Sequence, residues 1–461
     1  MIVMKFGGTS VANSEAIART ISIVKGRLDQ KPVVVVSALS KVTDLLYRIS
    51  DSAQAGDRAA ADGYIDALTA RHTDLAKELL GGSAYCDEAC TKVTEICEEL
   101  RNFVGAVCSL GELTDRSKAK IISRGEWLSS TIICYAMNAG GIVTHFIDAR
   151  KMIVTSDVYM KGEPDKAAIL ERVPVAVADA YDGADAVITQ GFIASTLKGE
   201  TSVLGRGGSD YSASLIGMAL DAERIEIWTD VDGVRTADPR IVSNTRNISR
   251  ISFEEAAEMA HFGAKVLHPM TIEPAVMKNI PVYVLNSMNP AGEGTAILQN
   301  DRIEDGVKSV SYKENILLLN IFSTRMINVS GFLQKVFAIF SQYKVSVDLI
   351  STSEANISLT MDGNQDIDEV VKALSEFAEV DVDRDKAQIS VIGKNIVNLR
   401  GLLKQTMSSL KDCNVYMISQ GASFVNISFV VDRASMKDAV REVHRYLFEN
   451  NDYEGSDQRI R

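Results

Sequence analysis

The sequence is poor in cysteine, in positive charge and in long apolar runs, and each shortage excludes something. Six cysteines in 461 residues point to reduced thiols rather than a disulfide framework. Forty-nine Lys and Arg against 61 Asp and Glu leave a net charge of −12. That balance argues against a general nucleic-acid or membrane-surface binder, but not against an acidic substrate, for which local cations decide. No apolar stretch approaches the roughly 18 residues of a membrane span, and no basic segment precedes one at the N-terminus. A cytoplasmic protein is the expectation. Cys86, Cys90 and Cys97 fall with Val93, Leu100 and Val104 on one apolar stripe at helical spacing, which reads as core. With no CxxC pair or nearby histidine, no metal-binding residue is expected.

What is present begins at the first residues. The apolar run Ile2-Val3-Met4 empties into Lys5-Phe6-Gly7-Gly8-Thr9-Ser10. Paired glycines let a ligand approach the backbone, and a following helix points free N–H groups at the same spot. Ile17, Ile21, Val24 and Leu28 recur at helical spacing behind a cap at Asn13 or Ser14. Alone, the loop suits a phosphate or a plain tight turn. Val33 to Val36 then reads as a buried strand that ends at Ser37, Ser40 and Thr43. The strand–helix–strand order implies a parallel sheet, with ligands outside the carboxyl ends of its strands.

Residues 51–140 read as mostly helical, with Ser123-Arg124-Gly125-Glu126 opening one more helix. Val143 to Ile147, Val173 to Val177 and Ala186 to Thr189 read as strands. A second glycine-rich helix entry, Leu204-Gly205-Arg206-Gly207-Gly208-Ser209-Asp210, carries both an arginine and an aspartate. A structural turn seldom needs three glycines and both charges. The strand Ile225 to Asp230 follows, and Asn289 to Gly294 is a plausible hinge.

The last third repeats itself. Gly331-Phe332-Leu333 returns as Gly401-Leu402-Leu403, and Asn356-Ile357-Ser358 as Asn426-Ile427-Ser428, both 70 residues on. Each copy reads strand, helix, strand, strand, helix, strand, an α+β sandwich with helices on one face of an antiparallel sheet. Such copies pair, and their exposed edges favour pairing between chains. Asp348 and Ser353-Glu354 distinguish the first copy as the one to bind a small polar molecule.

No GxxxxGK[ST] loop and no protein-kinase motif set is present. Yet lysines, arginines and helix N-termini around two glycine loops suit a phosphoryl group moving between anions. A carboxylate acceptor, with a reference pKa of about 3.9 to 4.3, is already ionised and needs no general base.

On the stretches Lys5 to Ser10, Arg124 to Glu126, Gly205 to Asp210, Thr229-Asp230-Val231-Asp232-Gly233 and Lys265-Val266-Leu267-His268-Pro269, the chain resembles the aspartokinases. Its tail resembles their tandem ACT regulatory domains. The resemblance implies an α/β amino-acid-kinase domain, three-layered with a mostly parallel central sheet, over 1–300. Two ferredoxin-like ACT repeats, βαββαβ, would follow over 301–385 and 386–461. It implies phosphorylation of the L-aspartate β-carboxylate by ATP, with Mg²⁺ held by the nucleotide's phosphates. Lys5 and Asp210 would be catalytic. Ser37, Thr43, Glu126 and Arg206 would bind substrate, Glu126 receiving its ammonium. Lys5, Gly7, Gly8, Ser10, Thr229, Asp230, Arg235, Arg240 and Lys265 would serve ATP. Met326, Phe332, Leu333, Asp348, Ser353, Glu354 and Thr360 would bind an amino-acid inhibitor, lysine or threonine. A homodimer or higher homo-oligomer through the ACT domains is implied as well.

Overall fold

β-Branched runs buried on both faces build the central sheet. Ile2–Phe6, Pro32–Val36 and Ala186–Gln190 are buried at every position, as expected for parallel strands covered by helices on either side. In this computed structural model the described residues are 1–263, 269–327 and 330–449. They fall into two compact units, one drawn from Met1–Val234 and Leu267–Gln299, the other from Arg235–Val266 and Asn300–Arg461. The 235–266 segment, placed by sequence inside a 1–300 catalytic domain, thus groups with the second unit.

In the first unit the strands line up as Thr144–Ile147, Ala186–Gln190, Pro32–Val36, Ile2–Phe6, Arg224–Thr229, Val282–Asn286 and Thr295–Leu298. All neighbours but the last pair are parallel. The ladder carries on past the strand ends: Gly7 N–H donates to Trp228 O (3.0 Å), Ser37 N–H to Phe6 O (3.1 Å) and Gly191 N–H to Val36 O (2.9 Å). Three loops are thereby held side by side at the carboxyl edge. Helices Val42–Gln54, Arg58–Leu80, Cys86–Leu110, Asp115–Ile122 and Arg124–Ala139 fill the expected helical stretch. Asn13, not Ser14, caps the first helix, its side chain accepting from Ala16 N–H. All six cysteines are free thiols, Cys97 being fully buried.

One expected strand is absent. Val173 to Val177 lies within the helix Lys166–Ala180, where Ile169, Val173 and Val177 are buried and Val175 is 60% exposed. Burial every fourth residue is helical, and a five-residue β-branched run is too short to reveal that period.

The second unit holds a six-stranded antiparallel sheet in the order Leu349–Thr352, Asn356–Asp362, Gly306–Phe322, Glu379–Lys394, Asn426–Asp432, Val415–Gln420. Its two long central strands serve both repeats. Ile316 to Phe322 belongs with the first copy, pairing with Asn356–Asp362. Gly306 to Lys313 instead runs beside Gln388 to Lys394, the opening strand of the second copy. The second copy therefore takes a strand from ahead of the first. The change of copy falls at a register shift between Lys313 and Ile316, where Asn315 turns left-handed (φ 61°). Separate cores lie under the two halves, around Leu319, Val336 and Leu359 in one and Ile389, Phe429 and Val443 in the other. Among the described residues no helix is long and apolar enough to cross a membrane.

Candidate active site

The loops at the carboxyl edge enclose a cavity of about 450 Å³ whose lining includes Lys5, Gly8, Ser37, Thr43, Glu126, Arg206 and Asp210. Two glycines make the walls close. A Cβ on Gly8 would stand 2.9 Å from Ala38 O, and one on Gly125 would stand 2.8 Å from the Ala38 Cβ. Helices begin at Val42, Arg124 and Gly208, so unpaired N–H groups and positive dipole ends face the region where Thr43, Glu126 and Asp210 stand.

The charges are arranged in an instructive way. Lys5 Nζ lies 2.6 Å from Asp210 Oδ1, both side chains mostly covered, which fixes the ammonium. Glu126 is 4% exposed, and its Oε1 accepts from Ala38 N–H at 3.2 Å. Its Oε2 is buried without a hydrogen-bond partner among the described residues. Burial pushes the Glu126 carboxyl up to about 8, the Ala38 bond only partly opposing it. Arg206 is exposed and has no hydrogen bond or ion pair among the described residues. One wall thus offers a carboxylate with a free oxygen, and another a guanidinium with no counter-ion.

Neighbouring expected residues fare differently. Ser10 is buried, its hydroxyl 2.8 Å from Ser287 Oγ and 3.3 Å from Trp228 O, so it ties the glycine loop to adjacent strand ends. Gly7 packs against Lys5 Nζ and Trp228 O rather than lining the cavity. Thr229 and Asp230 sit at the end of their strand, joined by a 3.2 Å hydrogen bond. Arg235 and Arg240 belong to the second unit. Arg235 bonds Thr245 Oγ1 at 3.0 Å. Arg240 grips Asp238 with two nitrogens, which with the Tyr312 hydroxyl holds that carboxyl down at about 2. Lys265 and His268 lie outside the described residues.

The inhibitor residues expected in the first repeat lie in the second unit but at both ends of the strand Leu349–Thr352: Asp348 precedes it, its N–H donating to Thr360 O, while Ser353 and Glu354 follow it, the Ser353 N–H donating to Asn356 O. Asp348, its side chain 8% exposed, is already engaged: Lys313 Nζ is 2.7 Å from Oδ2 and His261 Nε2 is 3.8 Å from Oδ1. The same Lys313 lies 3.6 Å from Asp362. Thr360 is fully buried, its hydroxyl accepting from Leu349 N–H at 3.0 Å, and Phe332 is 8% exposed; both act as core. Leu333, Ser353 and Glu354 are exposed, and Met326 is half-buried. In the second repeat Ile418, 41% exposed, stands opposite Phe429 as Ile350 stands opposite Leu359 in the first.

A model of the amino acid kinase family matches residues 1–286, and one of the ACT domain matches 319–377 and 389–447. Chloroplastic aspartokinase 1 of Arabidopsis thaliana is 37% identical over 98% of this chain and 80% of its own length. Lysine-sensitive aspartokinase 3 of Escherichia coli is 35% identical over 97% of this chain and 99% of its own. The chain belongs to the aspartokinase family. The fold agrees: Escherichia coli aspartokinase III, solved with aspartate and ADP, aligns with a TM-score of 0.83 at 33% identity, over 97% of this chain and all of that one. The same enzyme with lysine and aspartate aligns with a TM-score of 0.80 at 34% identity, over 97% of this chain.

The cavity brings together Lys5, Gly8, Ser37, Thr43, Glu126, Arg206 and Asp210. It also contains Lys41, Tyr47 and Phe192, which sequence reasoning did not single out. Phe192 follows Gly191 and holds φ 67°, with its N–H donating to Ser212 Oγ at 2.9 Å. The only sequence signal for it was its place directly after a strand end. Among the described residues of this aspartokinase, no group of three or more His, Cys, Asp or Glu could hold a metal ion.

Proposed function

We propose that the cavity binds L-aspartate next to MgATP and transfers the γ-phosphoryl group to the β-carboxylate, giving 4-phospho-L-aspartate. The observation that carries this reading is the pairing of a buried, half-unpartnered Glu126 with an uncompensated Arg206 in one small cavity. A free amino acid with an ammionium-type cation at one end and carboxylates at the other matches both. The Escherichia coli relative solved with aspartate and ADP supports the same choice of substrates.

Each residue then has a task. Arg206 offers a planar fork to a substrate carboxylate, and Thr43 and Ser37 line the same cavity. Glu126 Oε2 takes the ammonium, becoming ionised as it does so. Lys5, held by Asp210, neutralises charge on the phosphoryl group in flight, aided by the helix amino ends. The acceptor is an ionised carboxylate at neutral pH, so no base is required. Thr229 and Asp230, at a neighbouring strand end, serve the nucleotide. Mg²⁺ prefers phosphate oxygens and water to an all-protein cage, so the nucleotide's phosphates would hold it.

In the second unit, the reading assigns the Asp348 corner to an inhibitory amino acid, lysine or threonine, that favours an inactive arrangement through differential affinity. Lysine in one Escherichia coli relative supports it. Exposed edge strands make a homo-oligomer through the ACT sheet the expected assembly, and the cytoplasm the expected compartment. The test is coupled ADP release with L-aspartate, with L-glutamate and with no acceptor. Turnover that requires L-aspartate is expected; folded protein that releases ADP equally under all three conditions would overturn the assignment.

A further inference from the structure

Lys41 is out of place for a lysine. It stands immediately before the helix Val42–Gln54 with φ 66° and ψ 3°, the left-handed region that glycine enters freely and a residue with a Cβ enters at a cost. Its side chain makes no capping hydrogen bond. Its ammonium group has no hydrogen bond or ion pair among the described residues, and the residue is exposed. It therefore neither packs, caps nor pairs, and a glycine would serve the turn better. What the side chain does is line the cavity shared by Lys5, Glu126 and Arg206.

We propose that Lys41 is a substrate-binding residue whose ammonium takes a carboxylate of the acceptor. This rests on the aspartate-kinase reading of the cavity and adds a residue to it. Charge matching points to the acceptor. L-aspartate carries two carboxylates and one ammonium. Glu126 suits the ammonium and Arg206 one carboxylate, while Lys5 is already matched by Asp210 at 2.6 Å. The second carboxylate needs another cation, and Lys41 is an unpaired one in the same cavity. Position points the same way. Lys41 belongs to the 37–43 loop, which donates from Ala38 N–H to Glu126, so lysine and ammonium-accepting carboxylate share a wall. A hydrated point charge on a flexible stem can close on a substrate after entry and let the product leave.

The test compares the parent with Lys41→Met, Lys41→Gly and Lys41→Arg by steady-state kinetics for both substrates and by thermal melting. Lys41→Met and Lys41→Gly should each raise the KM for L-aspartate about tenfold or more, with the KM for ATP changed less than about twofold. Lys41→Arg should keep most of the aspartate affinity. Lys41→Gly should melt no lower than the parent, because the turn is relieved, so its kinetic loss cannot be laid to unfolding. An aspartate KM within twofold of the parent in both Met and Gly variants overturns the proposal. So does a rise confined to the ATP KM, which would place the charge on the nucleotide. A parent without aspartate-dependent turnover defeats the underlying reading itself, a result visible before any variant is measured.

Discussion

Two acidic side chains, Glu126 in the first unit and Asp348 in the second, are each assigned to an amino-acid ligand, yet they wait in opposite states. Glu126 is buried with one oxygen unpartnered and its carboxyl pushed up to about 8. Asp348 is already held by Lys313 at 2.7 Å, with His261 further off. A site of the first kind gains a full charge pair when its ligand arrives, but must release a proton below pH 8. A site of the second kind must give up one ammonium to accept another, so its net gain is smaller and easily tuned. The contrast suits a catalytic site that must hold substrate tightly oriented, and a regulatory site that must let its ligand go.

The largest effect should come from removing the cation on the catalytic side. Lys5→Ala is expected to lower kcat by roughly 10²–10³ or more, as loss of a preorganised charge at a transition state does. Binding of the inhibitory amino acid, followed by calorimetry, should survive. Loss of both together would mean that Lys5 holds up the structure instead.

Next in size is the pH dependence of substrate binding. If binding requires ionised Glu126, the aspartate KM should fall about tenfold per unit as pH rises from 6 towards 8, then level off. Glu126→Gln should bind aspartate poorly and flatten that dependence. Stability moves the opposite way. The empty fold keeps Glu126 protonated while the unfolded chain ionises it from about 4.5 upward, so folding loses stability as pH rises between 4.5 and about 8. Glu126→Gln should therefore melt higher than the parent at pH 8 without substrate. A parent KM flat from pH 6 to 8 would remove Glu126 from the ammonium's place.

The smallest effects belong to the Asp348 corner. Lys313→Met removes the internal competitor and should lower the inhibitor concentration for half-inhibition by about two- to fivefold, the scale of an ion pair near the surface. Asp348→Ala should raise it. Identical inhibition curves for parent and Lys313→Met would show that the Lys313–Asp348 pair is not exchanged on binding.

Much of this was readable beforehand where local chemistry and fold agree. A strand that ends in glycines before a helix has few uses, so Lys5, Gly8, Arg206 and Asp210 were nameable from sequence. Glu126 was nameable only through its motif, since a glutamate in a helix's first turn is ordinary. Its burial depends on Ala38, 88 residues away. The rest failed for physical reasons. The shared strand Gly306–Phe322 pairs across some 80 residues with Gln388 to Lys394, and sequence order alone assigns each repeat its own strands. Val173 to Val177 shows β-branched composition but a helical burial period. Lys41 reads as an ordinary surface lysine until its left-handed backbone is seen.

The most direct measurement on the catalytic site is proton release when L-aspartate binds. Calorimetric titration at pH 7 in two buffers of different ionisation enthalpy should show close to one proton released per aspartate bound by the parent, and none in Glu126→Gln. Equal heats in both buffers for the parent would contradict a protonated Glu126 that ionises to receive the substrate.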